Sequence, residues 1–162
     1  MTSYLHAEST APACTALARA DSYDKLLVLT IEDHEDTRLL LRILLERRGM
    51  RVIEADDGVA GISAAEKLHP DLILMDWSLP RLDGLAALRL IRARPDLCLI
   101  PVIFLSAHAG PDSREAALSA GCSEYIVKPF EIDLLDRILR RHLLLRKMDA
   151  FGTNRFIQDY PC

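Results

Sequence analysis

The amino-acid sequence predicts an α/β fold: five strand–helix units whose strands form one parallel sheet, doubly wound by helices on both faces. Three observations carry this. Short apolar runs bounded by Pro, Gly and Asp alternate with longer stretches in which apolar residues recur at helical spacing. The links between them are short, as they are in βα units. Strands joined through helices pair in parallel, and the helices cover the two faces of the sheet. Half of the 162 residues are hydrophobic, which supplies core for one ordinary domain and not for two.

The elements follow in order. Met1 to Asp24 is rich in Ala, Ser and Thr without a sustained period and reads as an N-terminal extension, flexible or loosely docked. The alternation starts at Lys25. Leu26 to Ile31 is the first strand. Asp36 or Thr37 then caps a helix carrying Leu40, Ile43, Leu44 and Arg47, closed by Gly49. Arg51 to Glu54 is a short second strand. Asp57-Gly58 opens a helix that runs to His69, where Pro70 stops it. Leu72 to Met75 is apolar throughout, the mark of a strand buried on both faces. Asp83-Gly84 opens the third helix, which runs to about Ala93 before Pro95. Pro101 to Leu105 is the fourth strand. Asp112 with Glu115 three residues later is a variant capping box, and Gly121 ends that helix. Glu124 to Val127 is the fifth strand, and the last helix spans about Glu131 to Lys147. The remaining tail, Met148 to Cys162, is too short for a DNA-binding or enzymatic domain, yet Phe151, Phe156, Ile157 and Tyr160 suit it to packing.

Composition excludes several classes. A net charge of −4 is too mild to point to nucleic acid or a membrane surface. No apolar stretch reaches the roughly 18–20 residues of a membrane span. The N-terminus lacks a basic start followed by an apolar core, so it does not read as a signal peptide. Cys14, Cys98, Cys122 and Cys162 are widely separated, with neither metal-ligand spacing nor a disulfide framework. A reduced, cytoplasmic setting fits them best. The histidines are scattered and show no metal-binding pattern.

The strand ends carry the chemistry. The first strand delivers Glu32-Asp33, the third Asp76, the fourth Ser106-Ala107 and the fifth Lys128-Pro129. Open α/β sheets place their sites at the C-terminal ends of strands. Three carboxylates converging there repel one another unless a cation joins them. Mg²⁺ takes oxygen ligands, one or two of them carboxylates, with water and phosphate completing its shell. An aspartate can act as a nucleophile toward a phosphoryl group and form an acyl phosphate. Lys128 and Ser106 are donors suited to the phosphoryl oxygens, and in-line transfer needs mainly positioning and charge stabilisation. Each residue also has a plain reading. Asp76 alone is a loop or helix cap, Glu32-Asp33 a solvated strand end, Lys128 a surface lysine and Ser106 a loop cap. Tyr125 is packing in an edge strand, and Trp77 a partly buried loop anchor. Pro129 suits a cis peptide, although the isomer stays open at this point.

Taken together, Ile31-Glu32-Asp33, Met75-Asp76 with Pro80 and Asp83-Gly84 beyond it, Leu105-Ser106-Ala107 and Lys128-Pro129-Phe130 give a clear likeness. Residues 25–147 resemble the receiver domain of two-component response regulators. The resemblance implies a flavodoxin-like (βα)5 sheet with strand order 2-1-3-4-5. It implies Asp76 as phosphoacceptor, with a histidine kinase or phosphotransfer protein as donor. It implies Mg²⁺ held by Asp33, Asp76 and the backbone carbonyl of Ser78, with Glu32 helping directly or through water. Lys128 and Ser106 would bind the phosphoryl group, and Ser106 with Tyr125 would form the switch. A phosphoryl group adds about −1.5 to −2 charges and strong acceptor oxygens. Ser106 gains a partner only in that state, and its movement opens space for Tyr125. This reshapes the face made by the fourth helix, fifth strand and fifth helix. Glu32 stands where the family more commonly has Asp. Trp77, directly after the acceptor, is bulky. Ser78 and His108 lie where the family tunes access of the hydrolysing water. The N-terminal extension has no counterpart.

The sequence thus reads as a single-domain regulator that catalyses only its own phosphorylation and dephosphorylation and signals by protein contacts. The alternative is a receiver-like interaction module that works without phosphorylation. A flavin-binding relative is disfavoured by the acidic run Glu32 to Asp36, and an aspartyl-phosphate phosphatase by Ser78 in place of a second Asp. In the last helix Ile132, Leu135, Leu139 and Leu143 form a stripe facing the sheet. Leu134, Ile138 and Leu145 lie outside it. Either the tail folds back over them, or they form a dimer or partner surface. Arg137, Arg140, Arg141, Arg146 and Lys147 make the helix basic. That is a solvated face by default, and without a recognition motif it gives no case for direct nucleic acid binding.

Overall fold

The computed structural model describes residues 26–150, with side chains through residue 143. The elements run β1 (Leu27–Ile31), α1 (Glu35–Glu46), β2 (Arg51–Ala55), α2 (Gly58–Leu68), β3 (Leu72–Asp76), α3 (Gly84–Arg92), β4 (Val102–Ser106), α4 (Pro111–Ser119), β5 (Glu124–Val127) and α5 (Ile132–Ala150). All strand pairs are parallel, in the order β2-β1-β3-β4-β5, as expected. The expected terminal segments, 1–24 and 148–162, lie outside the residues whose side chains are described.

Alternation along the strands explains the two layers of core. Leu29, Ile31, Ile73, Met75, Val102, Phe104 and Tyr125 point to one face and pack with α2, α3 and α4 through Ile62, Ala65, Leu88, Ile91 and Ala117. Val28, Leu72, Leu74, Ile103, Leu105 and Ile126 point to the other and pack with α1 and α5 through Leu41, Leu45, Leu135 and Leu139. β3 and β4 are buried at every position, which is why their sequences are apolar without a break. Register then aligns the strand ends. Ile31 sits opposite Met75, so Glu32 comes level with Asp76. Asp76 sits opposite Leu105, and Ser106 opposite Val127, one residue before Lys128.

Several local expectations shift. Residue His34, not Asp36 or Thr37, is the N-cap of α1, and it makes no side-chain cap bond. Glu35 and Asp36 occupy the first turn instead, where carboxylates suit the positive end of the helix dipole. Gly110 precedes α4 and Pro111 opens it, so Asp112 lies in the first turn and no capping box forms. Asp57 and Asp83 cap as expected, accepting from the amides of Val59 and Ala60 and of Ala86. In α1 the buried pair is Leu41 and Leu45, one turn apart, while Leu40 (52%) and Ile43 (39%) are exposed. In α5 the buried stripe is Leu135, Ile138, Leu139 and Leu143, and Ile132 at the first turn is 47% exposed. Ile138 therefore faces the sheet and Leu134 packs against the same core. The apolar patch expected outside the stripe loses two of its three residues, and the third, Leu145, lies beyond the described side chains. Among the described residues no helix is long and apolar enough to cross a membrane.

At Gly58 and Gly84 backbone atoms stand where a side chain would go. A Cβ on Gly84 would lie 2.4 Å from the Asp76 carbonyl oxygen and 2.8 Å from a Phe104 ring carbon. One on Gly58 would lie 2.4 Å from the Leu82 carbonyl oxygen. Gly84→Ala is expected to destabilise the fold by about 1–3 kcal/mol through overpacking, read as a lowered urea midpoint; an unchanged midpoint would show that β3 and α3 yield freely. Cys122 is a free, buried thiol, and burial pushes it up to about 11. It should stay protonated and resist iodoacetamide at pH 8 in the native protein, and react at once in urea. Rapid native alkylation would contradict this burial.

Candidate functional site

The C-terminal rim collects the expected residues on four strand ends. Glu32 leaves β1 with its amide donating to Ala55 O at 3.0 Å, which ties the turn to β2. Its residue is only 1% exposed. Arg38 of α1 donates to the Glu32 carbonyl at 2.7 Å and fixes that turn from the helix side. Lys128 reaches in from β5, where its amide donates to Ser106 O at 2.7 Å. Its ammonium donates to Glu32 Oε2 at 2.6 Å and lies 3.4 Å from Asp76 Oδ2. The Lys128–Pro129 peptide is cis, the isomer the sequence left open. One ammonium therefore joins two buried carboxylates, and Asp33 adds a third carboxylate at the same rim.

The charge balance is unfavourable as it stands. Three carboxylates face one lysine, and a buried carboxylate needs pairing to stay charged. Glu32 Oε1 is buried and has no hydrogen-bond partner. An orphaned acceptor beside further carboxylates is what a hard divalent cation would satisfy, so the donor set fits Mg²⁺. Glu32, Asp33 and His34 offer one ligand atom each, all within 4.8 Å of one another. Asp76 connects to this group through Lys128. Ser78 lies in the exposed part of the β3–α3 loop, two residues past Asp76.

Histidine 34 is the member that sequence reasoning passed over. Its Nδ1 lies 3.0 Å from Asp33 Oδ1 and 3.6 Å from Glu32 Oε1. The hydrogen bond with Asp33, reinforced by that carboxylate's charge, raises its pKa. Scattered histidines carry no periodic signal. The available sign was its place directly after two candidate ligands in a tight strand–helix turn.

Ser106 and Tyr125 meet at a second histidine. Ser106 Oγ accepts from the His108 amide at 3.0 Å, and Tyr125 Oη donates to the His108 carbonyl at 2.8 Å. Tyr125 is turned inward and buried. Its carbonyl accepts from Arg114 of α4 at 2.9 Å. Trp77 packs edge-on to Tyr125 with ring centroids 6.0 Å apart, and tilted against Phe104 at 5.4 Å. It is a partly buried member of an aromatic cluster beside Asp76. On the other side of the loop, Arg81 adopts a left-handed φ of 65° and its guanidinium pairs with the buried Asp57 that caps α2. This latches the β3–α3 loop to the β2–α2 turn.

Comparison with known proteins follows from this geometry. The family model described as response regulator receiver domain matches residues 28–140. The KDP operon transcriptional regulatory protein KdpE of Escherichia coli is 42% identical over 76% of this chain and 52% of its own length. An uncharacterised 14.6 kDa protein of Leptolyngbya boryana is 33% identical over 76% of this chain and 94% of its own length. For the regulatory protein AtoC of Escherichia coli, 31% identical, the matched share is 26% of its length. The chain thus spans about half or less of the two named regulators. Among solved structures, the receiver domain of a sensor histidine kinase of Pseudomonas aeruginosa superposes with a TM-score of 0.69 at 38% identity, covering 74% of this chain and 98% of that one. That structure has a magnesium ion coordinated in its active-site cleft.

Lys128→Met removes the ammonium that joins Glu32 and Asp76. Leaving Glu32 buried without a counter-charge should cost about 3 kcal/mol in buffer free of divalent cations. Urea denaturation measures this, and an unchanged midpoint would show that the pair contributes nothing to stability.

Proposed function

The chain belongs to the response regulator receiver family, and from that premise we propose that it accepts a phosphoryl group on Asp76 in a divalent-cation-dependent reaction. The observation that carries the proposal is the Lys128 ammonium, held between Glu32 and Asp76 at the rim. In the proposed step an Asp76 carboxylate oxygen attacks the phosphorus of a phosphohistidine on a histidine kinase or phosphotransfer protein. A P–O bond forms and the P–N bond breaks. Its electron pair goes to the leaving imidazole nitrogen, which takes up a proton. Asp33, Glu32, Asp76 and the Ser78 carbonyl are the oxygens that would hold Mg²⁺, which neutralises charge on the phosphoryl oxygens when bound. Lys128 supplies a second neutralising charge.

The response would start at Ser106. Its hydroxyl accepts from the His108 amide in the structure described above. Turning to donate to a phosphoryl oxygen breaks that bond and frees the loop whose carbonyl holds Tyr125. Arg114 links the Tyr125 backbone to α4, so the change passes to the α4–β5–α5 face. A downstream protein reads that face in this proposal, within a cytoplasmic setting. Assembly through α5 and the tail is the other signalling route the sequence suggested. The transcriptional roles of the longer relatives stay with those relatives.

Intact mass tests the proposal. After incubation with acetyl phosphate or phosphoramidate and Mg²⁺, the expected result is a gain of one phosphoryl group. The gain should vanish in Asp76→Asn and on chelation of the metal. No gain under conditions that label a control receiver would replace this reading with the interaction module that works without phosphorylation.

A further inference from the structure

The rim offers a cation something other than oxygen. We propose that His34 Nδ1 is a ligand of the cation site, so that the site binds first-row transition divalent ions through one nitrogen as well as carboxylate oxygens. This rests on the reading of Glu32 and Asp33 as the cation site. Two observations carry it. His34 Nδ1 stands 3.0 Å from Asp33 Oδ1 and 3.6 Å from Glu32 Oε1. With metal–ligand bonds of about 2.1 Å, neighbouring ligands lie about 3.0 Å apart around an octahedral ion and about 3.4 Å apart around a tetrahedral one. Separately, Glu32 is 1% exposed, and its Oε1, the oxygen facing His34, is buried with no hydrogen-bond partner. A buried acceptor without a donor and an imidazole nitrogen at ligand spacing point into the same space.

The chemistry separates the ions. Imidazole nitrogen suits Ni²⁺, Co²⁺ and Zn²⁺, whereas Mg²⁺ keeps to oxygen and retains water. The position His34 Nδ1 shares with Asp33 through a proton would be taken by the metal, with the ring's other nitrogen keeping its proton. The side chain is 75% exposed, with Nδ1 turned to Asp33 and Glu32. His34 makes no side-chain cap bond to α1, so replacing it leaves the helix start intact.

Calorimetric titration of the full chain with Ni²⁺ and with Mg²⁺ tests the proposal, comparing wild type with His34→Ala and with His69→Ala, a remote exposed histidine. His34→Ala should weaken the rim's Ni²⁺ affinity tenfold or more and leave Mg²⁺ no weaker. His69→Ala should leave both unchanged at that site. Equal losses for the two ions in His34→Ala, or Ni²⁺ affinity independent of His34, would overturn the nitrogen ligand while wild-type Mg²⁺ binding stands. Wild type that binds no Mg²⁺ would overturn the cation-site reading itself, and with it this inference.

Discussion

One ammonium shared by two buried carboxylates governs the architecture of the rim. Glu32 and Asp76 are charged groups at buried positions on adjacent strands, and Lys128 is the cation that meets both. Burial of a carboxylate without a partner costs several kcal/mol. The register of three strand pairs must therefore be right at once. A slip of one residue in β1, β3 or β5 would turn a member of the set to the opposite face of the sheet. The long apolar runs hold that register, since the same slip would expose their core residues. Stability of the sheet and geometry of the site are thus one requirement.

Loop packing supplies the rest. The β3–α3 loop is drawn against its neighbours at places where a side chain would not fit: Gly58 under Leu82, and Gly84 under Asp76 and Phe104. Arg81 holds a left-handed backbone that a non-glycine residue adopts at a cost of order 1–3 kcal/mol. Its guanidinium meets Asp57, a fully buried helix cap. The residues following Asp76 are consequently held from both ends, with Trp77 packed on the aromatic cluster at one side and Arg81 against Asp57 at the other.

Much of this was legible in the residues. Unbroken apolar runs identify buried parallel strands, and Asp57 and Asp83 announce two helix starts. The five strand-end residues follow from the strands alone. What escaped depends on contacts between segments distant in sequence. Ile138 and Ile132 are equally apolar, and only the angle at which α5 crosses the sheet decides which is buried. Asp112 and Glu115 have capping-box spacing, but Pro111 begins the helix one residue earlier. The pairing of Arg81 with Asp57 and the meeting of Ser106 and Tyr125 at His108 join loops that carry no shared pattern.

Trp77 is the sole tryptophan of the chain. Its indole follows Asp76 directly and lies 6.0 Å from the Tyr125 ring and 6.3 Å from the His108 ring. Indole emission responds to nearby charge and to the polarity of its surroundings. The protein therefore carries one indole, placed where Asp76 and the aromatic cluster meet. Events at the rim can be followed optically in the unmodified chain, in real time and without an attached dye. The signal has a single origin, so its changes map to one place in the fold.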